Sequence, residues 1–269
     1  MAEALSASPA EPRSAAAQPR ATGPMAVFHG FDPSVRERIV TGHAETNGNL
    51  AVMTVATEQY RRLAATLHHA QMEKGLKIVM VVSSMAGEGK TLTATNLALT
   101  LSESYQRQVL LVDADLRRPS LHRVFGLPNA TGLNEALTEE AGNPPALFSI
   151  SPQLTLLAGG RPHPDPMAVL TSDRMRRLME EAAAGFDWVV VDTPPVGLLP
   201  DANLLAAMVH AAVLVVEAGK TDYASVQRAV AAIGRDKIIG IVLNRAERPA
   251  GTYGNYERYY AGYAKRTEG

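Results

Sequence analysis

Cysteine is absent from the 269-residue sequence, and aromatic residues, net charge and long apolar runs are all scarce. Without cysteine there is no disulfide framework and no thiolate metal site, which suits a protein of a reducing compartment. A formal net charge of −1 gives no reason to expect broad binding to nucleic acid or to an acidic membrane surface. We therefore predict that the protein has no nucleic-acid partner.

No stretch of the sequence has the length and uniform apolarity of a membrane span or a secretory signal. The first 20 residues lack the basic start and apolar run of a signal peptide. The best candidate for a membrane span, residues 202–219, is interrupted by Asn203 and His210, and β-branched residues crowd its second half. This pattern is typical of a buried helix followed by a buried strand. The sequence predicts a soluble, cytoplasmic protein.

Tyrosine is the commonest aromatic residue, and it is distributed unevenly. Most of the eight tyrosines lie within eleven residues near the C-terminus, at Tyr253, Tyr256, Tyr259, Tyr260 and Tyr263. Almost no aliphatic residues surround them, so residues 249–269 are predicted to be a flexible tail. Residues 1–50, rich in Ala, Pro and Ser, are predicted to be disordered. Tyr105 and Tyr223, between the two tails, are predicted to pack within the folded region.

Residues 51–248 alternate between apolar runs and helical patterns and form the predicted folded domain. Helical stretches at 91–105 and 173–185 separate some of the runs, and a further helix is predicted from about Thr57. The runs have no polar alternation, as expected of parallel strands covered on both faces. They are KIVMVVSS, QVLLVDAD, LTLLAGG, WVVVDTPP, AAVLVVEAG and KIIGIVLN. The alternation predicts an α/β fold with a mainly parallel central sheet flanked by helices.

A glycine loop connects the first apolar run to the next helix. Gly87 and Gly89 allow the backbone to curl so that its N–H groups converge on phosphate oxygens. Lys90 is predicted to reach the β- and γ-phosphates, and the Thr91 hydroxyl to ligate Mg²⁺. Ser84 occupies the first glycine position of the pattern G-x-x-x-x-G-K-[ST], and an ordinary tight strand–helix turn is the alternative. The predicted nucleotide-binding residues of the loop are Ala86, Gly87, Glu88, Gly89, Lys90, Thr91 and Leu92.

Acidic side chains follow two of the apolar runs. Asp113 and Asp115 end the run QVLLVDAD, and Asp192 ends the run WVVVD. The carboxyl ends of parallel strands meet at one edge of a sheet, so these acids are expected beside the glycine loop. Buried carboxylates are costly unless they are paired or bind a metal, and Mg²⁺ prefers carboxylate, water and phosphate oxygens. We predict a magnesium site formed by Thr91, Asp113 and Asp192; a helix cap or turn is the alternative for any single acid.

These motifs together resemble those of the bacterial tyrosine kinases, the BY-kinases, which include the capsule and exopolysaccharide autokinases. VLLVDADLRRP is similar to the Walker A′ motif of that family, VVVDTPP to its Walker B motif, and AGEGKT to its phosphate loop, which commonly lacks the first glycine. A tyrosine-rich C-terminal tail is the family's autophosphorylation substrate. The resemblance covers about residues 55–263 and implies a P-loop NTPase fold of the MinD/ParA type, with ATP and Mg²⁺ as cofactors.

The resemblance implies catalytic roles for four residues: Lys90, Asp113, Asp115 and Asp192. Lys90 would neutralise charge on the transferred phosphoryl group. Either Asp113 or Asp115 would orient the tyrosine hydroxyl and accept its proton, and the choice between them stays open. Arg117 is predicted either to bind phosphate or to pair with a carboxylate. Asn244 is predicted either to bind adenine or to end its strand.

The resemblance also implies partners. Phosphorylation of the five tail tyrosines in trans requires self-association, and a tyrosine phosphatase would reverse it. A separate membrane-spanning activator of the polysaccharide co-polymerase type would recruit the kinase to the inner face of the membrane. There the kinase would control the polymerisation and export of capsule or exopolysaccharide. The family often carries E-x-x-R-x-x-R on the helix before the first strand. Glu58 and Arg61 fit this motif, and Ala64 occupies its third position.

Two other functions stay open. A MinD/ParA-type switch ATPase would share the fold, but those proteins carry an extra lysine early in the phosphate loop, where this chain has Met85. The tyrosine tail also lacks the apolar face of a membrane-binding amphipathic helix. A non-catalytic, nucleotide-binding subunit of a polysaccharide assembly complex would carry the same motifs. In either case, the tail could dock on a partner without being phosphorylated.

Overall fold

A computed structural model describes residues 26–27, 50–138, 145–197 and 201–246. The predicted tails at 1–50 and 249–269 lie outside these ranges, apart from Ala26–Val27 and Leu50. The strands are β1 Ala26–Val27, β2 Ile78–Ser83, β3 Val109–Asp113, β4 Leu147–Ser151, β5 Leu154–Leu157, β6 Trp188–Asp192, β7 Ala211–Glu217 and β8 Ile238–Asn244. The helices are α1 Leu50–Lys74, α2 Lys90–Glu103, α3 Leu121–Val124, α4 Leu133–Thr138, α5 Met167–Leu170, α6 Asp173–Gly185, α7 Asp201–Ala206 and α8 Tyr223–Ile233.

The strands form one sheet in the order β1-β4-β5-β3-β6-β2-β7-β8. Only β4 and β5 pair in antiparallel fashion; all other neighbours within the described residues are parallel. The predicted mainly parallel sheet is therefore confirmed, and each of the six apolar runs forms a strand. The sequence LFSIS of β4 was not predicted to be a strand because its apolar and polar residues alternate, as its half-buried position requires.

Helices cover both faces of the central strands. On β2, Met80 and Val82 contribute to a core shared with α6, α7 and α8. Val79 and Val81 contribute to a second core shared with α1 and α2. Every residue of β2 is buried, and so is every residue of β3, β6 and β7, which explains why these runs lack polar alternation.

The predicted helices are present, although α2 covers Lys90–Glu103 instead of 91–105 and α1 has a different start. Helix α6 covers the predicted residues 173–185, and the Ser172 hydroxyl caps it by accepting a hydrogen bond from the Met175 N–H at 3.1 Å. Helix α1 begins at Leu50 rather than near Thr57. The apolar stretch 202–219 is helix α7 followed by strand β7, as predicted. None of the helices in the described part of the chain is long and apolar enough to cross a bilayer.

The two tyrosines predicted to pack differ in environment. Tyr105 is half-buried against the second core, with its ring centroid 5.4 Å from that of His68, so this prediction is confirmed. The prediction for Tyr223 is wrong: it is 75% exposed, because it begins helix α8 immediately after the capping residue Asp222. In α1, Ala64 is fully buried in the second core, so the third position of the assembly motif faces inward.

Candidate active site

The phosphate loop runs from the end of β2 to the start of α2. Gly87 and Gly89 have φ values of 88° and 95°, in the left-handed region that favours glycine. A β-carbon at Gly89 would lie 2.1 Å from Asn244 Nδ2, so a side chain there would displace Asn244. The segment after β6 supports the loop, because the Gly197 N–H donates to the Ser84 carbonyl at 3.0 Å. The loop thus has the open backbone that a phosphate cradle needs.

The Glu88 side chain points into the protein and stabilises the loop from within. Its buried carboxylate accepts hydrogen bonds from the Ser84 hydroxyl at 3.1 Å, the Met85 N–H at 2.7 Å and the Thr221 hydroxyl. The Glu88 carbonyl accepts a hydrogen bond from Asn244 Nδ2 at 2.8 Å. A nucleotide could therefore meet the backbone of Glu88 but not its carboxylate. Ser84, at the first glycine position of the motif, has a structural role as a partner of Glu88.

Replacing Glu88 with glutamine is expected to weaken nucleotide binding about tenfold, because hydrogen bonds to a buried charge contribute about 1.5–3 kcal/mol. The amide retains one acceptor oxygen but cannot serve all three donors, so the loop would lose its preformed shape. Isothermal titration with a non-hydrolysable ATP analogue measures the effect. Thr221→Val, which removes a single donor, is the matched control and should have a smaller effect. Unchanged affinity in the Glu88→Gln variant would contradict this role.

Lys90 lies between two of the predicted acids. Its Nζ is 3.4 Å from Asp115 Oδ2, 3.4 Å from Asp192 Oδ1 and 3.4 Å from Thr91 Oγ1. Burial alone would lower the pKa of Lys90, but the charges of Asp192, Asp115 and Asp113 outweigh burial and raise it. The lysine is therefore positively charged at neutral pH. The structure thus brings Lys90, Thr91, Asp115 and Asp192 together, as the sequence predicted.

Asp113 and Asp192 lie opposite each other on the neighbouring strands β3 and β6, and both are fully buried. Asp113 Oδ2 accepts hydrogen bonds from the N–H groups of Ser120 at 2.8 Å and Leu121 at 2.9 Å. Burial, and then the charge of Asp192, raises the pKa of Asp113 to about 7, although these two N–H groups oppose the shift. Burial also raises the pKa of Asp192. The two carboxyl groups thus share a site in which full ionisation is unfavourable.

The residues around Asp192 fit a bound Mg²⁺. Asp192 Oδ2 is buried and has no hydrogen-bond partner among the described residues, so one acceptor oxygen is left for a ligand. The hydroxyl of Thr91, the second residue of α2, offers a second oxygen. No group of three or more His, Asp or Glu side chains within the described ranges forms a complete metal cage. Mg²⁺ commonly keeps several waters and binds substrate phosphates, so one or two protein ligands suffice. A direct metal contact for Asp113 stays a prediction.

A cleft of about 690 Å³ opens above these groups. Of the predicted nucleotide-binding residues, all except Glu88 and Asn244 line it. Residues that the sequence reasoning did not select also contribute: Arg118, Val124, Pro194, Pro195 and Arg245. Arg245 directly follows Asn244, and its guanidinium donates to Glu217 Oε1 at 2.8 Å. Pro194 and Pro195 belong to the VVVDTPP motif, so this motif could have been used to predict that they line the cleft.

Arg117 forms an ion pair, which was one of the two predicted roles. Its Nε donates to Asp201 Oδ2 at 2.7 Å, and its Nη1 donates to the Pro164 carbonyl at 2.9 Å. The Asp201 side chain is only 1% exposed, and the hydrogen bond to it raises the pKa of Arg117. The pair connects the segment after β3 to helix α7. Because Arg117 also lines the cleft, phosphate contact stays a prediction.

Replacing Arg117 with methionine is expected to lower the free energy of unfolding by about 3 kcal/mol, because it leaves a buried carboxylate unpaired. Urea denaturation at pH 7.5 measures the change. Arg176→Met is the matched control, because Arg176 pairs with Asp173 on an exposed surface and should contribute less than about 0.5 kcal/mol. Equal effects of the two substitutions would contradict the structural role of the Arg117–Asp201 pair.

The fold and the site together define a P-loop nucleotide-binding protein. A glycine loop joins a central parallel strand to a helix, and the acidic ends of the two neighbouring strands β6 and β3 lie on the same edge of the sheet. Residues 79–263 match the family model of the CobQ/CobB/MinD/ParA nucleotide binding domain. The predicted fold class is confirmed.

Comparison with known proteins identifies the family within this class. The chain is 36% identical over 191 residues to tyrosine-protein kinase YwqD of Bacillus subtilis strain 168, a match that covers 70% of this chain and 80% of the relative. The kinase domain of the Escherichia coli tyrosine kinase ETK matches with a TM-score of 0.66 and 30% identity, covering 73% of this chain and 79% of that one. The crystal structure of the chimerical protein CapA2B2 matches with a TM-score of 0.69 and 25% identity. This match covers 82% of this chain and 93% of that one. The chain belongs to the bacterial tyrosine kinase family.

Proposed function

We propose that the protein transfers the γ-phosphoryl group of Mg-ATP to the five tyrosines of its own C-terminal tail, in trans between copies. The observation that carries this proposal is the position of Lys90 Nζ, 3.4 Å from both Asp115 and Asp192 and next to a preformed phosphate loop. In this arrangement Lys90 and the loop N–H groups face the phosphates, and acidic groups lie within reach of an incoming hydroxyl.

Among the acids, Asp115 is best placed to receive the tyrosine. It lines the cleft and is 7% exposed, whereas Asp113 is fully buried and accepts hydrogen bonds from three backbone N–H groups. The Asp115 carboxylate would accept the phenolic proton as the tyrosine oxygen bonds to the γ-phosphorus and ADP departs with the broken bond's electron pair. Lys90 would stabilise the charge on the transferred group. Thr91 and Asp192 would hold Mg²⁺, whose contribution is to neutralise phosphate charge.

The tail supplies the acceptors. Each phosphate adds about −1.5 to −2 charge at pH 7, so five would add on the order of −8 to −10 to a short segment. Such a change in charge would alter assembly between copies. By the resemblance to the family, we further propose control of capsule or exopolysaccharide polymerisation and export. The same resemblance supports recruitment by a separate membrane-spanning activator and reversal by a tyrosine phosphatase.

Incubation of the purified protein with Mg-ATP, followed by peptide mass spectrometry, tests this function. We expect phosphate on Tyr253, Tyr256, Tyr259, Tyr260 and Tyr263. The exposed Tyr223 serves as an internal control for unspecific modification, and a variant with all five tail tyrosines changed to phenylalanine should accept no phosphate. If ATP is hydrolysed without any tyrosine modification, and an added activator does not restore transfer, a switch ATPase replaces the kinase proposal. If nucleotide binds without turnover, the protein is a regulatory subunit.

A further inference from the structure

A second cleft, also of about 690 Å³, adjoins the nucleotide cleft on the side of the Walker A′ segment. We name it the arginine cleft. It is lined by Arg117, Arg118, Pro119, His122, Arg123, Asn129, Arg161 and Pro162. All the charged residues of this lining are basic. Arg117 and Arg118 line both clefts, so the two clefts are adjacent.

Most of the positive charge of the arginine cleft is not neutralised. Arg117 pairs with Asp201, but Arg118, Arg123 and Arg161 have no carboxylate within ion-pair distance in the described part of the chain. The carboxylate of Asp115 accepts from the backbone N–H of Arg118, which fixes the backbone and leaves the guanidinium available. The side chains of Arg118, Arg123 and Arg161 are exposed to solvent. Among the residues that the structure describes, nothing compensates the charge of these three arginines, so the cleft can accept an anion.

The walls of the cleft are held in place by hydrogen bonds between distant segments. Gly160, with a φ of 83°, donates its N–H to Asn129 Oδ1 at 3.0 Å and accepts a hydrogen bond from the Asn129 side chain. The next N–H, that of Arg161, donates to Glu135 Oε1 at 3.0 Å. These contacts fix the backbone that carries Arg161. Asp113 similarly holds the start of α3, the helix that carries Arg123, through the N–H groups of Ser120 and Leu121.

His122 adds a polar group to the cleft without a charge. Burial, and then the nearby charge of Arg123, lowers the pKa of His122, so its imidazole is neutral at pH 7. Its buried Nδ1 has no hydrogen-bond partner in the described ranges. A neutral imidazole offers one donor and one acceptor. His122 can thus donate a hydrogen bond to a ligand or accept one from it, whereas the neighbouring guanidinium groups can only donate.

We propose that the arginine cleft binds a phosphotyrosine of the tail after it has been formed in the adjoining nucleotide cleft. The inference rests on the proposed function, which supplies the ligand. Arginine is suited to this ligand because its planar fork of N–H donors binds phosphate bidentately. A phosphate in the cleft would retain a modified tail while the neighbouring tyrosine enters the nucleotide cleft.

The spacing of the tail tyrosines agrees with two adjoining sites. Tyr253, Tyr256 and Tyr259 are three residues apart, and three extended residues span about 10 Å. The proposal therefore requires a phosphotyrosine in the arginine cleft and an unmodified tyrosine in the nucleotide cleft to belong to one short segment. Arg117 and Arg118 border both clefts, so the two positions are adjacent. The tail would then be phosphorylated at several tyrosines during one encounter.

Peptide binding to the full chain tests the cleft without requiring catalysis. The Lys90→Met protein, which carries an unmodified tail, is titrated with a fluorescent peptide of residues 251–265 bearing one phosphate on Tyr256, and with the same peptide lacking phosphate. We expect the phosphopeptide to bind at least about tenfold more tightly, and the Arg123→Ala/Arg161→Ala double variant to remove this preference. Neither substitution touches the catalytic groups, and both side chains are exposed. Arg177→Ala/Arg235→Ala, with the same loss of charge at exposed sites elsewhere, should retain the preference.

Each result decides between the proposal and its alternatives. Equal binding of the two peptides, or an unchanged preference in the Arg123→Ala/Arg161→Ala variant, would overturn the proposal. If inorganic phosphate binds the cleft as tightly as the phosphopeptide, the site is a general anion site and the proposal also fails. If excess ADP displaces the phosphopeptide, the nucleotide cleft is its site.

A second measurement separates this inference from the proposed function. During autophosphorylation of otherwise active protein, the Arg123→Ala/Arg161→Ala variant should add its first phosphate at the wild-type rate and its later phosphates about tenfold more slowly. Intact-mass spectra over time would then show singly phosphorylated chains accumulating. Wild-type kinetics for all phosphates would contradict the arginine cleft but leave the kinase function standing. The absence of phosphotyrosine even in wild type would reject the kinase function itself.

Discussion

Replacing Lys90 with methionine is expected to reduce phosphoryl transfer to tyrosine at least about 1000-fold, because it removes the cation that stabilises the transferred group. Methionine keeps a flexible apolar side chain of similar length, so the loop need not collapse. The loss would also leave Asp115 and Asp192 without their shared counter-ion. The initial rate of phosphate incorporation from labelled ATP measures the effect.

Lys74→Met is the control for the Lys90 prediction. Lys74 is an exposed lysine in the last turn of α1, and its loss should change the rate less than about twofold. Circular dichroism of both variants would verify folding. A Lys90→Met protein that retained a tenth of the wild-type rate would contradict the role assigned to this lysine.

The nucleotide-free protein is expected to lose stability as the pH rises from about 4 to about 7, because of Asp113. The pKa of Asp113 is raised from 3.8 to about 7 in the folded protein, first by burial and then by the charge of Asp192. Between these values the unfolded chain releases the proton while the folded chain retains it, so ionisation favours unfolding. The resulting loss in the free energy of unfolding is on the order of 2–4 kcal/mol. Urea denaturation across this pH range measures it.

Asp113→Asn isolates the contribution of this carboxyl group. The asparagine side-chain oxygen can still accept the N–H groups of Ser120 and Leu121, but it has no charge to bury. At pH 8 without metal or nucleotide the variant should therefore be more stable than wild type by about 1–3 kcal/mol, and its stability should depend less on pH. Asp165→Asn, at an exposed position, is the control. An Asp113→Asn protein with the pH dependence of wild type would contradict this account.

The core of the fold could be predicted from the sequence because burial on both faces of a parallel sheet removes polar residues from the central strands. The same reasoning missed β4, whose half-buried residues alternate, and it placed the start of α1 at Thr57 instead of Leu50. Tyr223 was assigned to packing because nothing in its local sequence shows that the first residue of α8 faces solvent. Local patterns thus identify elements more reliably than they identify exposure at the ends of elements.

The centre of the site could also be predicted, because Lys90, Asp115 and Asp192 all lie at or after the ends of strands that meet one edge of the sheet. The contacts that support these residues could not be predicted from the sequence. Arg117 pairs with Asp201, 84 residues away, and Glu88 meets Thr221, 133 residues away. Such pairs depend on how α7 and the segment before α8 dock on the sheet, which no local pattern records. The tail tyrosines lie outside the described residues, and their phosphorylation stays a prediction.

Transfer between two distinguishable copies tests the central claim most directly. The enzyme copy is the full chain with all five tail tyrosines changed to phenylalanine, and the acceptor copy is the full Lys90→Met chain, which has the tail but lacks the catalytic lysine. We predict that Mg-ATP leads to phosphate on Tyr253–Tyr263 of the acceptor only when both copies are mixed. If the acceptor gains no phosphotyrosine while wild-type protein alone does, transfer occurs within one chain and the trans mechanism is wrong. If wild type also gains none, even with an activator added, the protein is not an autokinase.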